Sequence, residues 1–179
     1  MINREAFSII QSLLGFMLSS LLLHRRLGSM ARNVASIDNW HGAIEVVIAA
    51  PVGKVWAIAS NWLNFPRSAS VECTGGKSGE PGCVRRVQAK NSNFWVEEIL
   101  TGIDHDNRIL CYDIIGGNSG IASGYKAAIQ ATAERDSSTR VVWPFKFSSD
   151  QLRAESMTPI IKTKVTAHIK ELEELAQNL

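Results

Sequence analysis

The sequence is short of the features that mark metal, disulfide or nucleic-acid chemistry. Its three cysteines, Cys73, Cys83 and Cys111, are odd in number and show no CxxC spacing. That fits reduced thiols in a cytoplasmic protein rather than a disulfide framework. The four histidines, His24, His41, His105 and His168, form no HxH or HExxH pair, so no metal site is expected. The formal net charge is only +2, and no basic run exceeds the pairs Arg25-Arg26 and Arg85-Arg86. The electrostatic footprint of a nucleic-acid binder is therefore missing. A phosphate-binding loop is missing too, because Gly75-Gly76-Lys77-Ser78 has Val71 where the leading glycine belongs and follows a strand without opening a helix. No cofactor is expected, and the glycines there read as a hairpin turn near a cavity. Trp56, Trp62, Trp95 and Trp143 read as core packing rather than a stacking platform.

What is present is a globular composition, 45% hydrophobic and 20% charged over 179 residues, sized for one domain. Two regions differ in character. Residues 1–39 form an apolar or flexible extension, and residues 40–179 form the domain. Phe7 to Leu23 is an apolar run followed by His24-Arg25-Arg26. Three readings compete for it: a signal-type leader, a weak membrane anchor broken by Gln11, Ser12, Ser19 and Ser20, or a dispensable segment ahead of a working start at Met30. Contact with a membrane is expected only if that segment is retained.

From His41 onward the pattern is a strand, a helix, six strands and a long helix. His41–Ala50 is rich in β-branched residues. Pro51 opens a helical repeat of Val52, Val55, Trp56, Ala59 and Trp62, which Asn64-Phe65-Pro66 closes. Strands are predicted at Val71–Thr74, Cys83–Lys90, Phe94–Ile103, Arg108–Ile115, Gly124–Glu134 and Thr139–Ser149, with turn chemistry between them. Thr158 and Pro159 predict the start of a helix that runs to Gln177, about 28 Å at 1.5 Å per residue. Ile161, Val165, Ile169 (or His168), Leu172 and Ala176 form its apolar stripe, with Lys162, Lys164, Lys170, Glu171 and Glu174 facing away. Without a βαβ rhythm the class is α+β: a curved antiparallel sheet wrapped around a long C-terminal helix. The gap between such a sheet and its helix is a natural ligand cavity.

Strand side chains alternate faces, so parity separates the cavity side from the wet side. In 125–134, Lys126, Ala128, Gln130, Thr132 and Glu134 point to solvent, and Tyr125 points inward with Ala127, Ile129, Ala131 and Ala133. In 83–90 the inward set is Cys83, Arg85, Val87 and Ala89; in 94–102 it is Phe94, Val96, Glu98 and Leu100. Val141, Trp143, Phe145 and Phe147 make a wholly apolar set. An otherwise greasy interior is thus broken by Arg85, Glu98 and Tyr125. Buried charge demands a partner. The trio reads either as an ion pair and hydroxyl that order the core, or as an acid/base pair with a phenol donor facing a ligand.

The segments GCVRRV (Gly82–Val87), FWVEE with LTGIDHDNR (Phe94–Arg108), GYKAAIQ (Gly124–Gln130) and RVVWPFKF (Arg140–Phe147) carry a resemblance. They are similar to the lachrymatory factor synthases of plants, a branch of the START-like, polyketide cyclase and pollen-allergen superfamily with the helix-grip fold. The resemblance implies a cofactor-free isomerase or lyase that rearranges a small sulfenic acid in an apolar cavity. It implies Glu98 as general acid/base and Arg85 and Tyr125 as holders of a developing oxyanion. The alternative is a non-catalytic binding or transport protein for a hydrophobic small metabolite or lipid, with the same trio anchoring one end of the ligand. The hormone receptors of that superfamily carry a His-Arg-Leu latch where this chain has GGNSGIASGY (Gly116–Tyr125), which argues against a receptor. No feature of the sequence specifies an oligomeric state.

Overall fold

The computed structural model describes residues 40–118, 120, 124–147 and 151–179. The apolar run at Phe7–Leu23 and the Met30 start lie outside the described residues, as does part of the Gly116–Tyr125 loop. The elements are β1 (Gly42–Ile48), α1 (Val52–Ala59), β2 (Ala69–Gly75), β3 (Val84–Ala89), β4 (Trp95–Asp104), β5 (Ile109–Gly117), β6 (Lys126–Arg135), β7 (Ser138–Lys146) and α2 (Gln151–Gln177).

The seven strands make one antiparallel sheet in the order β1-β7-β6-β5-β4-β3-β2. Strands β2 to β7 are a meander, as the turn-separated runs predict, and β1 closes onto β7 with Ile44 opposite Trp143. Register shifts interrupt β2–β3, β4–β5 and β6–β7, and such bulges bend a strand and raise its twist. The result is the curved α+β helix-grip sheet expected from the sequence.

The apolar stripe of α2 packs as predicted. Ile161, Val165, Ile169, Leu172 and Ala176 are all buried, each large aliphatic side chain contributing about 1.5–3 kcal/mol against exposure. Two side chains assigned to the wet face also meet other parts of the domain. Glu171 accepts from the Arg67 N–H (2.6 Å), the Ser68 N–H (2.9 Å) and the Ser68 hydroxyl (2.6 Å). Lys164 lines the rim of the internal cavity.

Both helix boundaries differ from expectation. Helix α2 starts at Gln151, so Pro159 lies inside it and not at its first position. Pro159 brings no N–H to the helix ladder, and four residues on the Thr163 hydroxyl donates to the Pro159 carbonyl at 3.0 Å. Helix α1 stops at Ala59, and at its cap the Ser60 N–H and hydroxyl both donate to the Trp56 carbonyl, at 2.9 and 2.7 Å. Trp62 stays in the core but reaches it from a turn. The carbonyls of residues 62 and 65 lie past the helix end and serve the site described next.

Candidate functional site

Inward parity on β3 to β6 becomes a row of side chains across the sheet. Arg85 on β3 stands opposite Glu98 on β4, Glu98 opposite Ile114 on β5, and the Ile114 N–H donates to the Tyr125 carbonyl at 3.0 Å. A second row runs Leu100, Tyr112, Ala127, Phe145. The first row and Tyr112 of the second line a cavity of about 210 Å³. Ile161, Lys164, Val165 and His168 of α2 form its roof, spaced three or four residues apart on one helical face. Its rim carries the exposed residues Ser68, Ala89, Phe94 and Lys164. Phe94, expected to point inward, is 62% exposed, since it precedes β4 and the strand's alternation does not govern it. The Gly75–Gly82 turn links β2 to β3 as a hairpin but contributes nothing to the cavity wall.

Arg85 and Glu98 are buried and in direct contact. The Arg85 Nε donates to Glu98 Oε2 at 2.7 Å, and Nη2 lies 2.6 Å from the same oxygen. Nη1 donates to the Phe65 carbonyl at 2.6 Å and to the Trp62 carbonyl, both in the turn that follows α1. The guanidinium carbon sits 3.5 Å above the centre of the Trp62 ring, a stacked cation–π contact. Guanidinium has five N–H donors, so one Nη2 proton remains. Among the described residues, no donor reaches Glu98 Oε1.

Tyr125 is not bonded to that pair. Its ring stacks on Phe145 (6.3 Å between centroids), meets Phe147 edge-on (5.5 Å) and tilts against Tyr112 (6.3 Å). Burial, then the neighbouring Tyr112 and the Glu98 charge, hold the Tyr125 phenol well above its ordinary value. Burial and the Glu98 charge also raise Tyr112, while Arg85 pulls it the other way. The Trp143 indole N–H is close enough to favour the ionised Tyr112 slightly, without a hydrogen bond of ordinary geometry. Both phenols therefore stay protonated and able to donate.

Tyr112 and His168 were not singled out from the sequence as site residues. The signal for Tyr112 was available, since Leu110, Tyr112 and Ile114 share one parity on β5 and all line the cavity. His168 was read as an alternative to Ile169 in the stripe. Both point toward the sheet, with Ile169 in the core and His168 at the cavity. The His168 ring meets Phe65 and Trp143 edge-on, at 6.2 and 6.1 Å. Burial lowers its pKa; Glu171 and Glu98 pull it upward, and Arg85 and Lys164 push it further down.

Residues 40–179 match the family model for polyketide cyclase / dehydrase and lipid transport. The chain belongs to this family. No curated protein matches it. Among solved structures, a solution NMR structure of a protein from Thermobifida fusca is similar, with 22% identity and a TM-score of 0.65 over 76% of this chain and 93% of that one. XoxI from Bacillus cereus is 17% identical, with a TM-score of 0.64 over 76% and 94% of the two chains. A protein from Nitrosospira multiformis is 21% identical, with a TM-score of 0.61 over 75% and 94%. At such identities the likeness shows the fold alone. Among the described residues, no helix is long and apolar enough to cross a membrane.

Proposed function

We propose that the protein binds a small, mostly apolar molecule with one polar end and converts it, without a cofactor, by moving a proton at Glu98. The observation that carries this reading is the Glu98 carboxylate in a largely apolar cavity, one oxygen held by Arg85 and the other with no described donor. Glu98 takes a proton from the bound molecule and returns it at another atom, an isomerisation. The remaining Arg85 proton and the Tyr125 hydroxyl stabilise the oxygen on which charge develops. The cavity, about 210 Å³, is smaller than the roughly 300–1,000 Å³ of ordinary ligand pockets, which favours a compact substrate over a long-chain lipid. The motif likeness to the lachrymatory factor synthases supports a finer reading, rearrangement of a small sulfenic acid. Its three free thiols support a cytoplasmic setting.

The test uses freshly generated alkenyl sulfenic acids and a panel of small enolisable carbonyl compounds, with products followed by mass spectrometry. Conversion should fall by about 10²–10⁴-fold in Glu98→Gln, the usual contribution of a positioned proton-transfer group. Full turnover by that variant would show that Glu98 moves no proton.

A second reading is favoured by one observation: four of the five Arg85 donors are committed within the protein. A pair so fixed suits a carrier, in which Arg85 and Glu98 shape the cavity and anchor a ligand that does not react. Saturable binding with every ligand recovered unchanged supports the carrier over the isomerase.

A further inference from the structure

The proton-transfer reading leaves Tyr112, Lys164 and His168 of the cavity lining unused. His168 hangs from the α2 roof, and no described group hydrogen-bonds its ring nitrogens. Its ring is held edge-on between Phe65 and Trp143, so its orientation is set by packing alone. An imidazole fixed in this way keeps one nitrogen lone pair and one N–H available to whatever enters the cavity. We propose that His168 is a ligand-contacting proton acceptor, matched to a small ligand carrying a weakly acidic hydroxyl, such as a phenol or an enol. This rests on the reading that the cavity holds a ligand, and it names that ligand's chemistry.

The charges around the ring fit the assignment. On α2 itself Lys164 and Glu171 flank it, and from the sheet Arg85 on β3 and Glu98 on β4 act on it. Burial keeps the empty-cavity imidazole neutral near pH 7, the form able to accept. When an acidic hydroxyl binds, its O–H bond breaks and the proton moves to the free ring nitrogen. The oxygen keeps the bonding pair as an oxyanion, and no electrons leave the pair of reactants. Glu98 and Glu171 then favour the imidazolium, while Arg85 and Lys164 favour the oxyanion. The product is an ion pair between ring and ligand, inside a cavity where such a pair is only weakly screened.

The probe is 4-nitrophenol, whose ionised form absorbs visible light and whose neutral form does not. It is added to the full chain and to His168→Gln at a pH where the free phenol is neutral. Bound nitrophenolate should appear with the unaltered protein and vanish in the variant, with binding weaker by about tenfold, as expected for one lost charge-assisted hydrogen bond. The Cε1–H resonance of His168 in the unaltered protein should move toward the imidazolium position on binding. Matching circular dichroism spectra, and a parallel His168→Asn variant, keep misfolding from imitating the loss. Equal affinity and equal visible absorbance in both proteins, or an unmoved Cε1–H resonance, overturns the His168 assignment alone. Absence of binding to either protein overturns the ligand reading of the cavity and the inference with it.

Discussion

Arg85 and Glu98 face each other directly across β3 and β4, and the guanidinium closes two donors on one carboxylate oxygen. Taking two charges out of water costs several kcal/mol, which their attraction and the Trp62 and Phe65 carbonyls offset. Removing one partner leaves the other uncompensated. Arg85→Met and Glu98→Leu are each expected to lower stability by about 3–5 kcal/mol, whereas the double variant should lose markedly less than the sum of the two. Urea unfolding of the four proteins measures the coupling. A strictly additive double variant would mean that the pair is not a unit.

The chain's only two tyrosines, Tyr112 and Tyr125, both line the cavity, so tyrosinate absorbance reports this site and nothing else. Their folded pKa values lie above the unfolded value near 10, chiefly through burial. Above pH 10 the unfolded chain therefore binds fewer protons than the folded one, and stability falls as pH rises. An alkaline titration should show little phenolate until the fold itself is lost, with absorbance and circular dichroism changing together. Phenolate appearing earlier, in a folded protein, would mean that the hydroxyls reach bulk water.

Parity explains why much of this site could be read in advance. On β3 and β6 the alternation of faces placed Arg85 and Tyr125 inward by a geometric rule, although Ala128, assigned to the wet side, is buried. Pairing was legible only in kind, since a buried arginine demands a carboxylate, but register selects which one. The α1 boundary was illegible because Trp62 continues the helical spacing; its burial is achieved from a turn that no periodicity encodes. The α2 start was misread because proline at a first helical position outweighs, as a rule, proline inside a long helix. His168 was obscured by adjacency, since on a 3.6-residue repeat positions 168 and 169 both lean toward the sheet, and only the cavity tells them apart.

The three thiols should react in a fixed order. Cys73 is exposed, Cys83 is fully buried, and Cys111 is pushed up to about 11 by burial and the Asp113 charge. Since the thiolate is the reactive form, an aromatic disulfide reagent at neutral pH should label one equivalent quickly and the other two only on unfolding. Cys73→Ser should abolish the fast phase. Two fast equivalents in the unaltered protein would contradict either the burial of Cys83 or the raised pKa of half-buried Cys111.

Glu171 ties the rim of the cavity to its roof. Its carboxylate accepts from the Arg67 and Ser68 N–H groups and the Ser68 hydroxyl, and the Lys90 ammonium caps the Arg67 carbonyl at 2.6 Å from the β3–β4 side. The segment is held by four hydrogen bonds, yet none is buried, so each contact competes with water. Glu171→Ala should therefore cost only about 1 kcal/mol of global stability, while protection of the Arg67 and Ser68 amides against hydrogen exchange should fall to that of an open loop. The two readouts separate a rim fastening from a core element. If exchange at both amides stayed slow in Glu171→Ala, the backbone around Pro66 would be self-supporting. Ligand entry past Ser68 would then have to depend on the β3–β4 side, where Phe94 stands exposed.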